Sequence, residues 1–203
     1  MSGHATLFLV GVWTALWCLW HSLLATHRWR DLVHRLFPRW HVFSRVLYVV
    51  GSTLSLAVLL VWLRTLPERT IWSWTGAWAL ARWLGLAEAA FLFGAGARAY
   101  DNRHFLGLAQ VRGYALGRAA AEPPFRADGI LAVVRHPWYS GTLLLLVFGL
   151  PWTDINLVWR GVFIAYTLLG CELEERKLLR DLGSPYADYR RRVGRYWPRR
   201  RSR

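Results

Sequence analysis

The sequence predicts an all-α, polytopic integral membrane protein of about five transmembrane helices. Three observations carry that prediction. Hydrophobic residues make up 55% of the 203-residue chain and Trp occurs fourteen times, while charged residues are held to 19%. The apolar residues gather into separate runs, several of them near the roughly twenty residues that a helix needs to cross a bilayer. The net charge of +14 sits at the ends of those runs beside aromatic residues, as on a cytoplasmic membrane face. Lipid headgroups account for such charge, so anionic lipids are an expected partner and nucleic acid is not.

Residues 6–25 form a first span, with His21 and Ser22 near its far end. Residues 26–45 interleave Arg28, Arg30, Arg35, Arg39 and Arg45 with Trp29, Leu32, Val33, Leu36 and Phe37 at helical spacing, and Pro38 ends the pattern. That predicts an amphipathic helix lying in the interface. Residues 43–63 are a second span. The connection 64–76 is short and nearly balanced in charge, with Trp72 and Trp74 as an aromatic belt. Residues 77–97 are a third span, with Arg82 near one end and Glu88 in the middle. Such a carboxyl is either functional or a structural hydrogen-bonder. Gly94-x-Gly96 in this span fits close packing rather than a nucleotide fingerprint.

The one long connection, 98–135, holds Arg98, Arg103, Arg112, Arg118 and Arg126. Two short apolar runs, 142–152 and 157–171, then flank the turn Thr153-Asp154-Ile155-Asn156 and predict a tilted or shallow helical hairpin. Arginines crowd the first connection, the third connection and the tail, while the second connection and the Asp154 turn are poor in them. The positive-inside rule therefore puts the amino terminus outside and the carboxyl terminus in the cytosol. No internal repeat breaks the chain, which reads as one domain over 1–203: a three-helix scaffold, 1–97, then the connection, hairpin and C-terminal segment, 98–203. Cys18 and Cys171 lie inside apolar runs, so no disulfide framework is expected. The first run lacks a basic leader and a cleavage site and does not read as a cleavable signal. Neither His21 nor His104 has a second ligand at metal spacing, so no metal is expected.

The chemistry-bearing stretch is Arg135-His136-Pro137-Trp138-Tyr139-Ser140-Gly141. Pro137 lacks an N–H and suits the first turn of a helix, so a helix starts there and runs into the apolar segment. The N–H groups of such a turn, with Arg135 and His136 beside them, suit a carboxylate or phosphate. A plain membrane boundary explains the same residues. Glu172, Glu174 and Glu175 stand where the last apolar run ends, and acids at a cytosolic edge oppose the headgroup field. Glu172 and Glu175 share one helix face. Ion pairs with Arg176, Lys177 and Arg180 are the alternative. Beyond them, Gly183, Pro185, Tyr186, Tyr189, Val193, Arg195 and Pro198 suggest a second short helix at the membrane surface.

The pattern Arg135-His136-Pro137-x-Tyr139-x-Gly141, then Glu174-Glu175-x-x-Leu178, then Gly183-x-x-Tyr186-x-x-Tyr189-x-x-x-Val193-x-Arg195-x-x-Pro198 resembles the isoprenylcysteine carboxyl methyltransferase-like family of membrane methyltransferases. The resemblance covers the chain from Asp128 on. In the front half, His21-Ser22-Leu23-Leu24-Ala25 and Asp101-x-x-x-Phe105-x-Gly107-Leu108-x-Gln110 are similar to the bacterial branch with methanethiol S-methyltransferases and NnrU-like proteins, which implies a bacterial inner membrane. Leu131 stands where the family commonly has Tyr, and Gly194 replaces the usual Pro after Val193.

The resemblance implies an S-adenosyl-L-methionine-dependent methyltransferase whose cytosolic cofactor pocket is built from the C-terminal hairpin and tail. It implies cofactor binding by Arg135, His136, Pro137, Tyr139, Gly141, Glu174, Glu175, Tyr186 and Tyr189. His136 and Tyr139 would meet the methionine end, and Glu175 the amino or ribose groups. His136, Glu172 and Arg190 are the expected catalytic residues, with Arg190 or a neutral His favouring a thiolate. The implied reaction is methyl transfer to a small or amphipathic thiol. Two alternatives stand beside it: O- or N-methylation of a lipid-borne or isoprenylcysteine-like acceptor, and an NnrU-like accessory protein without turnover.

Overall fold

The computed structural model describes residues 3–38 and 40–199; Arg39 and the last arginines of the tail lie outside the described residues. The chain is helical apart from two short strands, and it forms two compact units.

The first unit is Met1–Glu68 with Asp101–Pro124. It holds α1 (Gly3–Ala25), α2 (His27–Leu36), α3 (Ser44–Arg64), α5 (Asn102–Phe105) and α6 (Leu108–Ala115). Thr26 starts α2 by accepting a hydrogen bond from the Trp29 amide at 3.2 Å, and the helix stops just before Phe37-Pro38. A helix expected over this stretch is thus present, ten residues long. Helices α1 and α3 pack through Trp17 Nε1, which donates to Ser55 Oγ, and through His21, which bonds Tyr48 at 2.9 Å. Both the segment Gly3–Ala25 and the segment His41–Arg64 are long and apolar enough to cross a membrane.

The second unit is Arg69–Tyr100 with Phe125–Arg203. It holds β1 (Thr70–Trp72), α4 (Ala77–Ala99), α7 (Pro137–Phe148), β2 (Trp152–Thr153), α8 (Asp154–Leu182) and α9 (Ser184–Arg192). Small residues let α4 and α7 approach closely: a Cβ at Gly85 would stand 2.4 Å from the Phe148 ring, and one at Gly96 2.5 Å from Trp138. Around this seam lie Ala89, Leu92, Val134 and Leu144, with Phe93, Ile130 and Phe148 against them. Arg82 caps α7 from α4, donating to the carbonyls of Phe148 and Gly149 at 3.2 and 3.0 Å. It is a helix C-cap, which also explains why it has no tie to Glu88. Glu88 lies on the exposed side of α4.

The two arginine-poor connections meet within this unit. Strands β1 and β2 pair antiparallel, and Asp154 accepts from the Arg69 amide at 2.9 Å. The sequence shows no strand here, because each is too short to display an alternating pattern. Thr153 caps α8 by accepting from the Asn156 amide. The helix then continues for 29 residues, past the end of the apolar run, until Gly183 at φ +63 lets the chain turn into α9. The acids expected at the membrane exit therefore sit in the middle of a continuous helix, which holds their relative positions rigidly.

Candidate functional site

Pro137 occupies the first turn of α7, where its missing N–H costs nothing, and His136 precedes it. The backbone of this junction is taken up by the C-terminal tail. The amides of Arg135 and His136 donate to the carbonyls of Gly194 and Arg195 at 2.9 and 3.2 Å, and Val134 and Gly194 form a parallel bridge. Ser140 Oγ reaches the carbonyl of Tyr196 at 2.8 Å. Gly194 has no room for a side chain, since a Cβ would stand 1.8 Å from the Trp197 carbonyl. A Pro would add that atom, so the departure from the family pattern follows from the way this tail folds back.

The tail brings its side chains to the acidic turn of α8. Glu175 is fully buried. Its Oε1 accepts from Arg135 Nε at 2.8 Å and Nη2 at 2.6 Å and bonds His136 Nε2 at 3.2 Å. Its Oε2 accepts from Arg195 Nη2 at 2.8 Å and pairs with Arg190 Nε at 3.5 Å. Arg135 Nη1 also donates to the carbonyls of Arg190 and Val193, which locks the end of α9 to the start of α7. Glu172, one turn before Glu175, pairs with Arg195 at 2.8 Å and Arg176 at 3.0 Å. Of the local ion pairs expected for the acidic cluster, the one from Arg176 to Glu172 forms, while Arg195 and Arg135, not Lys177 or Arg180, are the main partners of Glu175.

Charge follows from this geometry. Burial works against a charge on His136, but its hydrogen bonds to the Cys171 thiol and the Glu175 carboxylate outweigh burial and hold the imidazole pKa up at about 9. Burial would raise the Glu175 carboxyl, yet His136 and Arg135 bring it down to about 2. The centre is an imidazolium and four guanidinium groups around two carboxylates.

Outside this buried frame lies a more accessible rim. Tyr139, one turn into α7, donates from its hydroxyl to Glu174 Oε2 at 2.8 Å, and its ring packs edge-on against His136. Glu174 is exposed, and the side chains of Glu172 and Arg190 are 35% and 41% exposed. Tyr100 stacks at a tilt on Trp138, 4.7 Å between centroids, and the charge of Glu174 acts on its phenol, which burial and that charge both push up. Tyr186 and Tyr189 are buried under α8 with Phe125 edge-on to both. Tyr189 donates to the Leu131 carbonyl at 2.6 Å, so the backbone, not the side-chain identity, is what residue 131 supplies there. The Tyr186 hydroxyl is buried with no hydrogen-bond partner among the described residues.

The structure brings Arg135, His136, Tyr139, Glu172, Glu174, Glu175, Arg190, Tyr186 and Tyr189 into one cluster. Pro137 is buried, and Gly141 faces the α4 backbone, where a Cβ would stand 3.2 Å from the Ala89 carbonyl. Four further residues belong to the cluster: Arg195, Cys171, Tyr100 and Phe125. Arg195 lies in the spaced tail pattern, but the surrounding arginines conceal it. Tyr100 and Phe125 border the long connection and carry no local signal. Among the described residues no group of three or more His, Cys, Asp or Glu gathers to hold a metal ion.

No family model matches the chain, and no solved structure matches it. The chain is similar to Methanethiol S-methyltransferase 2 of Bradyrhizobium diazoefficiens, 30% identical over 189 residues that cover 91% of this chain and 70% of that protein. It is likewise 30% identical over 190 residues to a methanethiol S-methyltransferase of Mycobacterium tuberculosis, covering 89% of this chain and 74% of that protein. Methanethiol S-methyltransferase 1 of Bradyrhizobium diazoefficiens is 28% identical over 196 residues, and the chain spans 65% of its length.

Proposed function

The chain belongs to the methanethiol S-methyltransferase family, and from that membership we propose that it methylates a small thiol, methanethiol being the reference acceptor, with S-adenosyl-L-methionine as donor. The observation that carries the proposal is the Tyr139–Glu174 pair at an accessible rim, backed by the buried His136–Glu175–Arg135 frame.

The residues present fit such a donor chemically. Tyr139, Tyr100 and Trp138 offer aromatic faces to a sulfonium or a purine. Glu174 offers a carboxylate to an ammonium or to ribose hydroxyls, and Arg190 offers a guanidinium to a carboxylate. The buried Tyr186 hydroxyl leaves one hydrogen bond to be made. When bound, the donor supplies a methyl group activated by positive sulfur. The protein aligns the acceptor sulfur with that methyl and excludes water. A thiol must lose its proton before its sulfur bonds to the methyl carbon and the carbon–sulfonium bond breaks. With its pKa near 9, His136 is protonated at neutral pH. It therefore favours a thiolate by charge, together with Arg190, rather than by taking the proton, which leaves to solvent at the rim. Glu175 is a positioning residue that sets the orientation of Arg135, His136 and Arg195.

The fold within the membrane is part of the proposal. Residues 1–203 act as one domain with five crossings of a bacterial inner membrane, the amino terminus outside, the carboxyl terminus and the site in the cytosol, and anionic lipids against the basic face. The pairing of the two arginine-poor connections through β1 and β2 supports a common side for them. Outward-facing Phe8, Val58, Leu80 and Phe91, each at least 64% exposed, support contact with lipid.

The test is binding of S-adenosyl-L-methionine to the detergent-solubilised protein by calorimetry, followed by turnover of methyl-labelled donor with methanethiol or with lipid extract. Wild type binds, Tyr139→Phe binds about tenfold more weakly, as expected for a lost charge-assisted hydrogen bond, and label leaves as volatile dimethyl sulfide. Label retained in lipid would replace the thiol acceptor by a lipid-borne one. Absence of binding by folded wild type would overturn the enzymatic reading in favour of an accessory role.

A further inference from the structure

Helix α2 has no buried residue, although Leu32 and Leu36 lie on it and Phe37 directly follows. Trp29 and Val33 turn inward, while Arg28, Arg30 and Arg35 are exposed beside the outward apolar side chains. Asp31 is the only acid in the sequence from 27 to 45. More than sixty residues on, α6 exposes Leu108, Arg112 and Tyr114.

The two segments form one surface. The 3-10 turn His41–Phe43 touches both α2 and α6. Arg45 donates from Nε to the Phe105 carbonyl at 2.8 Å, and its guanidinium lies over the Phe105 ring. Gly107, at φ +84, lies so close to α3 that a Cβ would stand 2.9 Å from Val46. Arg30 and Arg45 are near enough for their charges to act on each other, and Glu122, the acid that acts on Arg45, has a side chain 88% exposed.

Two guanidinium groups whose charges repel each other suit a shared anion, the acid that acts on Arg45 being turned to solvent, and large apolar side chains beside them suit an anion that carries an apolar tail. We propose that this surface binds the phosphate of an anionic phospholipid headgroup, with Arg30 and Arg45 holding the phosphate and Leu36 and Phe37 entering the acyl region. Its position at the start of α3, a helix long and apolar enough to cross a bilayer, puts the phosphate at headgroup depth. The inference rests on the membrane reading above and names the lipid contact within it.

The experiment compares dihexanoyl-phosphatidylglycerol with dihexanoyl-phosphatidylcholine, titrated into the detergent-solubilised full chain and read by native mass spectrometry and thermal midpoint. The glycerol lipid binds more tightly and raises the midpoint, and salt weakens it. Arg30→Gln, at an exposed position, weakens it about fivefold, and Arg45→Gln does so at least as much. Equal affinity for the two lipids, or unchanged affinity in Arg30→Gln, overturns the proposal. Displacement of the lipid by inorganic phosphate at matched concentration would show a free-anion site instead and overturn it too. Carbonate extraction of membranes tests the membrane reading separately: a chain that resists extraction yet shows no lipid preference sinks this inference alone.

Discussion

Glu175 carries the site at the scale of single residues. One buried carboxylate faces Arg135, His136, Arg190 and Arg195, so removing it leaves the buried Arg135 and His136 without their counter-charge. Glu175→Ala is expected to cost about 3–5 kcal/mol, measured by chemical denaturation in detergent. Tyr139→Phe, at the rim, is expected to leave stability within about 0.5 kcal/mol of wild type and to lower donor affinity only. The pH dependence follows from the same contacts. His136 sits near pKa 9 against an ordinary 6.5, so its contribution is complete below about 6.5 and is lost as pH rises through 9. Glu175 sits near 2 against an ordinary 4.5, so its contribution is complete above about 4.5 and is lost as pH falls through 2. The thermal midpoint should therefore be highest between about 4.5 and 6.5 and decline towards 9. In His136→Gln the alkaline decline should vanish; an unchanged slope would locate it elsewhere. The individual residues were legible, because Arg135, His136, Tyr139, Glu174 and Glu175 stand in two compact motifs. Their division into frame and rim was not, since burial depends on where the tail lies.

Among the elements, the contact between α4 and α7 depends on which small residues face it. Gly94 and Gly96 are two apart on one helix and read alike in the sequence. A Cβ at Gly96 meets Trp138 at 2.5 Å, while one at Gly94 meets only the flexible Arg98 side chain at 3.7 Å. Gly96→Ala is expected to destabilise by about 1–3 kcal/mol through overpacking. Gly94→Ala should be neutral or stabilising by up to about 1 kcal/mol, because Ala favours helix. Circular dichroism melts of the two variants in detergent decide the matter, and equal effects would refute the seam. Helix α7 itself was legible from Pro137 and the apolar run that follows. Its cap was not: Arg82 reads as a charge inside a span until its guanidinium is seen on the carbonyls of Phe148 and Gly149.

For the whole molecule, the proposed orientation is tested with membrane-impermeant maleimide, using the buried native thiols Cys18 and Cys171 as a quiet background. Thr75→Cys should label in intact cells and Ser184→Cys only after lysis; the reverse would invert the topology. The sequence by itself determined the helical class, the apolar runs and the two motifs, because hydropathy, proline and charge clustering are properties of neighbouring residues. Only the tertiary structure decided that residues 193–196 fold back onto 134–140 and deliver Arg195 to Glu175. The reason is physical: that return is held by backbone amides and carbonyls, such as Arg135 to Gly194, and every residue but proline carries both groups. A bond that all sequences can make leaves no mark in any one of them.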